Sequence, residues 1–576
     1  MNSEDVKVLS KPWLIFLSLS SLIIAAFGQP ARSPLLAVFA ACFGYAIFWR
    51  VLLSFKTFKE RFWISFSWFF VLQLVQLSWM TAHPFFYIYL PYIFFAALQG
   101  VQFGFLSFFV TRTNIASLQK IAGMSAFWVL MEWSRLFFLS GYSWNPAGMA
   151  LAANLYSLQM ASLFGVYGLS FWVMFVNFLL LRCWILWESK NITLSAVSLF
   201  MLMALTPYIY GAAHLEIHSR KNLNNSEPFT ALLVQPSFAV DGMDHIQDRK
   251  KLIAYVMEQW RKILLITKKE SHQKIDLVVL PEYVVPFGTY THVFPFDLVQ
   301  NIFADIFGQE SVAKLPELDA HLAQSFRKSQ KSHAKETIVF VNNAYWLQSL
   351  SNVLGAPVVA GLEDVDDLSF EERNHYSAAL YLSPGKVNCK LPERYEKRVL
   401  VPLGEYIPFS FCKQLAINYG VNGSFTKGEK AKVFFHPKKP FGVSICYEET
   451  FGHVMRENRL DGAELLVNLT NDGWFPSSKL TKQHFDHARL RSIECGIPLI
   501  RACNTGITGG FDSLGRVISV LGDAEDEHES LSDSLLLEVP AYTYQTIYSK
   551  FGDHLILSFS SIAFLGLLFN RSTKKN

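Results

Sequence analysis

Hydrophobic positions along the chain fall into two textures. Over 1–213 they form long unbroken runs, near 12–28, 34–54, 62–81, 86–110, 121–140, 161–185 and 193–213, and an eighth run follows a long polar interval at 553–570. Each approaches the roughly 20 residues that a helix needs to cross about 30 Å of hydrocarbon. From Phe229 the runs shorten. Thr230–Gln235, Ile275–Leu280, Thr337–Val341, Ser377–Leu382, Gly442–Ile445, Leu465–Asn468 and Pro498–Ala502 read as strands, with helical stretches such as Gln247–Lys268 and Lys482–Glu494 between them. Near-continuous apolar strands mixed with helices predict a layered α/β domain whose sheets are covered on both faces. The chain therefore divides into a helical membrane region at 1–213 with about seven helices, an extramembrane α/β domain at 214–552, and a last spanning helix with a short tail at 553–576.

Composition supports this division. Of the 576 residues 51% are hydrophobic and 15% aromatic, beyond the range of an ordinary soluble domain. Cations of the short loops set the orientation. If eight spans alternate, Lys7, Lys11, Lys56, Lys59, Arg61, Arg112, Lys120, Arg182, Lys190, Arg571, Lys574 and Lys575 all fall on one side, and the opposite short loops hold only Arg32. Both termini are then cytoplasmic and 214–552 lies across the membrane. The first run resembles a signal peptide, but further spans follow it and Phe27–Arg32 makes a poor cleavage site. The net charge of +4 is accounted for by these loops and calls for no nucleic-acid partner.

Seven cysteines, at 42, 183, 389, 412, 446, 495 and 503, show no paired zinc spacing, and an odd number in an exported domain leaves one thiol free. Cys446 stands out because it ends a short apolar strand and precedes an acidic helical segment, Glu448 to about Asn458. On such an elbow the amides and dipole of the following helix favour a thiolate. Two more reactive side chains sit at strand ends, where α/β domains place their chemistry. Glu282 follows a strand in Leu280-Pro-Glu-Tyr283, and Lys397 lies in Tyr395-Glu-Lys-Arg398. Taken singly, a strand-end Glu or Lys is usually solvated and a lone Cys is usually a small buried residue. Together they suffice for acyl transfer: Glu282 as general base, Lys397 stabilising the thiolate and oxyanion, and Cys446 carrying the acyl group as a thioester. His484 and His487, three apart beside Asp486, lack a third ligand in register, so no metal is assigned. No nucleotide or other cofactor fingerprint is present either.

Pro281-Glu282, Lys397 with Leu400-Val-Pro-Leu-Gly-Glu405-Tyr-Ile-Pro408, and Cys446-Tyr447-Glu448 resemble the Glu, Lys and Cys motifs of the nitrilase (carbon-nitrogen hydrolase) superfamily. Joined to many N-terminal spans and one C-terminal span, they are similar to those of the apolipoprotein N-acyltransferase family. Val467–Phe475, Ile500–Ile507, Glu132-Trp-Ser-Arg135 and Gly165-Val-Tyr-Gly168 extend the resemblance over nearly the whole chain. It implies a nitrilase-like αββα sandwich at the outer face of a bacterial inner membrane. Cys446 would take an acyl chain from a phospholipid and pass it to the α-amine of the diacylglyceryl-cysteine that begins an apolipoprotein. Glu405 would position the lysine or assist proton transfer, with Tyr447 and Glu448 supporting the nucleophile. The chain departs from the family in two places. The loop 236–243 lacks a tryptophan expected there, and an insertion near 297–335, whose segment Leu315–Phe326 has helix-like spacing, serves as a lid, a lipid-contacting arm or a surface elaboration.

In the membrane region Glu132 and Arg135 share a helix face, where an ion pair between helices and a role near a lipid headgroup stand as alternatives. The loop after them is rich in turn formers and carries Trp144, which anchors at the interface or lines a lipid entrance. With Trp474 these are the lipid-binding candidates. Two rival functions remain from the residues alone: a membrane-tethered amidase in which water resolves the thioester, and a transporter or receptor with an exported binding domain.

Overall fold

A computed structural model of the chain describes residues 8–221, 229–240, 246–328, 336–366, 374–386, 391–408, 425–522 and 531–569. Cys389, Cys412, Lys7, the three tail cations, the tip of the 236–243 loop and the end of the 297–335 insertion lie outside them. Packing divides the chain into two units: Met1–Asn224 with Ser478–Gly496 and Tyr544–Asn576, and Asn225–Ser477 with Ile497–Thr543.

In the first unit all eight apolar runs are helical. Among the described residues four helical stretches, Pro34–Leu52, Phe86–Leu106, Ala161–Glu188 and Leu194–Lys221, are long and apolar enough to cross a membrane, while Lys11–Ala26 and His554–Phe569 are apolar but shorter. Aromatic stacking supplies much of the packing, as in Trp49 on Phe178 at 3.8 Å and Phe48 on Trp68 at 4.2 Å. The Pro34–Leu52 stretch contains a π-helical turn, Ala40–Gly44, where the backbone ladder is interrupted. Asn177 repairs the break: its carbonyl accepts from Tyr45 and Ala46 N–H at 3.1 and 3.0 Å, and its amide donates to Ala41 O at 2.8 Å. The helix Ala161–Glu188 is broken at Gly165, whose φ of +62° suits glycine, and a Cβ there would lie 2.4 Å from the Tyr548 ring. The Glu494 carboxylate caps the restarted helix by accepting from Val166 N–H at 2.8 Å.

Leu480–Cys495, which the sequence places between two strands of the second unit, thus packs with the N-terminal helices. Its Leu490 and Ile493 are fully buried in their core. His484 and His487 both lie edge-on to Trp144, and His487 shares a hydrogen bond with Trp144 O at 3.1 Å.

Among the described residues the second unit has fifteen strands. In chain order β1 is Phe229–Gln235, β2 Leu277–Val279, β3 Phe294–Pro295, β4 Ala323–Lys328 and β5 Glu336–Val341. Then come β6 Val358–Val365, β7 His375–Leu382, β8 Glu393–Glu396, β9 Val433–Phe434 and β10 Phe441–Ile445. Last are β11 Leu465–Thr470, β12 Leu499–Cys503, β13 Gly509–Phe511, β14 Val517–Val520 and β15 Asp533–Val539. One six-stranded sheet runs β15-β1-β2-β6-β7-β8, and the other runs β14-β13-β12-β11-β10-β9. Each has a parallel centre of three strands with antiparallel strands outside it. Inward side chains of both sheets, among them Leu233, Val279, Tyr395, Val443 and Val467, share one core. Against the other face of the first sheet lie helices Arg249–Lys268 and Asn343–Leu354, whose Trp260 and Trp346 stack at 5.4 Å. The first of these helices is capped by Asp248; the second opens on Asn342 and closes on Gly355 in the left-handed region.

The insertion differs from its expectation. Helix-like spacing over Leu315–Phe326 predicts a helix, but Ala323–Lys328 is a strand paired with β5, and the helix of this region is Phe296–Phe307. Cross-strand hydrogen bonds to β5, in a three-stranded sheet with β3, outweigh the local periodicity.

Candidate active site

Three loops of the second unit converge at the ends of β2, β8 and β10. Glu282 lies three residues beyond β2, and its turn is held against β6 by Gly361 N–H donating to Pro281 O at 3.1 Å and Val284 N–H donating to Gly361 O at 3.0 Å. A Cβ on Gly361 would lie 2.6 Å from the Glu282 Cα, so only glycine lets the two backbones approach this closely. Lys397 directly follows β8, anchored by its N–H on Ser377 O at 2.8 Å. Gly428 approaches the same segment, where a Cβ would lie 2.3 Å from Glu396 O. Cys446 directly follows β10 and turns the chain sharply, with a φ of +52° that a non-glycine residue adopts only under constraint. The segment after it is a 3-10 turn, Cys446–Thr450, and the α-helix begins only at Gly452.

The side chains meet. Lys397 Nζ donates to Glu282 Oε1 at 2.9 Å and to Glu405 Oε1 at 2.7 Å, with the lysine fully buried. Glu405 is aimed by its own turn, because its Oε2 accepts from Val401 N–H at 2.8 Å. The Cys446 thiol lies beside the Glu282 carboxylate and the Thr470 side chain. Burial opposes the Lys397 charge, yet Glu282 and Glu405 overcome it and hold the ammonium well above its usual range. For Cys446 burial and then the Glu282 charge push the thiol well above its usual range, against the pull of Lys397. Burial thus opposes the thiolate that the strand-to-helix elbow favours, and Glu282 is the base placed to take the thiol proton. Burial raises the Glu282 carboxyl ahead of the opposing pull of Lys397.

Beside the nucleophile, Tyr447 packs edge-on to Phe451 at 4.8 Å. Glu448 is fully buried and accepts hydrogen bonds from both the Lys397 and the Cys446 segments. Sequence reasoning passed over a buried ion cluster behind the elbow, in which Arg501 of β12 meets Glu449 at 3.1 Å and Asp472 at 3.5 Å. Its signal is an arginine in the middle of the apolar run Leu499–Cys503. Asn468 of β11 also donates to Cys446 O at 3.2 Å, tying the elbow to the neighbouring strand.

Of the lipid-binding candidates, Glu132 and Arg135 of the first unit are both buried. Glu132 accepts from Trp128 Nε1 and Ala147 N–H, each at 2.7 Å, and Arg135 Nε donates to Gln102 Oε1 at 2.8 Å. Trp144 is buried against Trp79 at 5.1 Å, and Trp474 of the second unit is 41% exposed.

Gly361→Ala tests the close backbone approach. Overpacking of this kind costs about 1–3 kcal/mol, and a displacement of about 1 Å in a catalytic group lowers rates by roughly 100-fold. The variant is expected to fold and to form an acyl-enzyme tenfold to 100-fold more slowly, read by intact-protein mass against time; an unchanged rate would show that the Glu282 turn is not held by this contact.

Two family descriptions match the chain: Carbon-nitrogen hydrolase over residues 243–533, and Apolipoprotein N-acyltransferase N-terminal domain over residues 14–179. The chain is 31% identical to the apolipoprotein N-acyltransferase of Chlamydia pneumoniae, over 96% of this chain and 97% of that one. Its identity to the protein of the same name from Haemophilus ducreyi is 25%, over 98% and 94%. Among solved structures, the nitrilase-superfamily protein Nit3 of Saccharomyces cerevisiae matches with a TM-score of 0.33 at 15% identity, over 56% of this chain and 93% of that one.

Proposed function

Because the chain belongs to the apolipoprotein N-acyltransferase family, we propose that it N-acylates lipoproteins through a thioester on Cys446. The observation that carries the mechanism is the Lys397 ammonium held between Glu282 and Glu405, with the Cys446 thiol beside the same Glu282 carboxylate. Glu282 takes the thiol proton as sulfur attacks the ester carbonyl of a phospholipid. Lys397 stabilises the tetrahedral oxyanion. Collapse breaks the ester C–O bond; the leaving oxygen takes the proton back from Glu282 and departs as a lysophospholipid hydroxyl. In the second half the α-amine of a diacylglyceryl-cysteine attacks the thioester carbonyl and gives its proton to Glu282; the C–S bond breaks as the amide forms, and the leaving sulfur takes that proton from Glu282 to restore the thiol. Because Glu282 must be ionised in the free enzyme while burial raises its carboxyl, the rate should climb with pH along a limb above the ordinary carboxylate range.

In this reading the helical region makes eight spans, both termini face the cytoplasm, and 214–552 forms a periplasmic αββα sandwich at the bacterial inner membrane, opening toward lipid. The biased loop cations and the alternation of apolar runs support that orientation. Glu132, Arg135, Trp144 and Trp474 serve lipid contact or the shape of its entrance.

The test incubates the purified protein with phospholipid and a diacylated lipopeptide and weighs the products. The expected result is one acyl chain added to the peptide amine, with one lysophospholipid released. Free fatty acid as the main product would instead establish the tethered hydrolase.

A further inference from the structure

The Glu448 carboxylate joins the two catalytic strand ends. On Oε1 it accepts from the N–H groups of Arg398 and Val399, the latter at 3.0 Å, immediately after Lys397. On Oε2 it accepts from Ile445 N–H at 2.8 Å, immediately before Cys446, and from the Tyr395 hydroxyl at 2.8 Å. Since β8 edges the first sheet and β10 belongs to the second, one carboxylate staples the lysine segment to the cysteine elbow across the inter-sheet core. Tyr395 is the one side-chain donor of the four. It sits on β8 two residues before Lys397, is only 1% exposed, and points into that shared core.

We propose that Tyr395 is a positioning residue of the acyl-transfer site, whose phenolic O–H keeps Glu448 a four-acceptor staple that holds Lys397 and Cys446 in register. The inference rests on the acyltransferase reading for its function, though not for its geometry. A carboxylate can accept from all four donors, whereas a protonated carboxyl would turn an O–H toward an N–H that already points at it. Burial favours the protonated form and raises the Glu448 carboxyl. The groups that favour the anion are the three N–H donors, the phenol and the Lys397 charge, with Arg398 beside it paired to Glu457. Removing the phenolic donor tips this balance, and the staple opens as pH falls.

Tyr395→Phe keeps the ring and removes only the hydroxyl. Two rates are followed against pH in the full-length protein: acyl-enzyme formation from phospholipid, and alkylation of Cys446 by iodoacetamide, which needs no lipid. The expected result is a loss of roughly tenfold in acylation at neutral pH, deepening on the acid side and recovering on the alkaline side, with the Cys446 alkylation profile displaced in the same direction. Glu448→Gln should lose activity equally at every pH, and adding Tyr395→Phe to it should cost nothing more. A Tyr395→Phe variant with the wild-type pH profile, or one whose loss is uniform with pH and adds to that of Glu448→Gln, overturns the proposal. Failure of the wild type to acylate while Tyr395→Phe still displaces the alkylation profile would sink the acyltransferase reading and leave the staple standing. Should Tyr395→Phe not fold, Glu448→Gln alone decides: wild-type acylation and alkylation in that variant overturn the staple.

Discussion

Cys446→Ser should yield a folded protein that takes up no acyl chain from phospholipid. The replacement changes one atom at the end of β10 and leaves the backbone turn, the Asn468 contact and the buried core beneath it untouched. A serine hydroxyl is far less acidic than a thiol, and the base beside it, Glu282, is a carboxylate already paired with an ammonium. Removing a nucleophile from a site of this kind lowers turnover by roughly 10^4-fold or more. Intact-protein mass after incubation with phospholipid should show the added acyl chain in the wild type and none in the variant. Cys446→Ala should behave identically, and an acyl adduct in the alanine variant would remove Cys446 from the mechanism.

Lys397→Arg should be almost as damaging, although it preserves the charge. The Nζ atom donates to two carboxylates at 2.9 and 2.7 Å in a pocket that leaves the side chain 1% exposed. A planar guanidinium is larger and directs its donors in a rigid fork, so it cannot hold both carboxylates and face a tetrahedral oxyanion. Loss of one oxyanion donor typically costs 100-fold to 1,000-fold. Because Glu282 and Glu405 keep a cation between them, the deficit should fall on the first-order rate of acyl-enzyme formation more than on thermal stability. Single-turnover mass spectrometry reads that rate, and a value within a few-fold of wild type would show that the lysine only neutralises charge.

Glu282 and Cys446 were legible in the sequence because each follows an apolar strand, β2 or β10, where periodicity and a charged or sulfur-bearing side chain coincide. Lys397 follows β8, Glu393–Glu396, whose charged residues carry no apolar signal, and its motif rather than its strand marked it. What the sequence concealed depends on long-range pairing. β15 lies beside β1 only because Phe229 faces Val539, some 300 positions away, and β6 is interrupted by Gly361 and ends in charged residues. Glu448 reads as one more acidic residue of a helix start, and its part in joining two sheets depends on donors near 395–399, which no local spacing discloses. The Cys446 thiol shows the same limit: a dipole is local and can be read from sequence, but desolvation is set by everything that folds over the atom.

The Leu480–Cys495 helix determines where this chain can be cut. The carbon-nitrogen hydrolase match ends at 533 and begins at 243, which invites excision of that piece as a water-soluble enzyme. Such a fragment would keep the helix between β11 and β12 while losing the partners of Leu490, Ile493 and the Glu494 carboxylate. Leu490 and Ile493 would be left facing water, which favours aggregation over a dispersed, active domain.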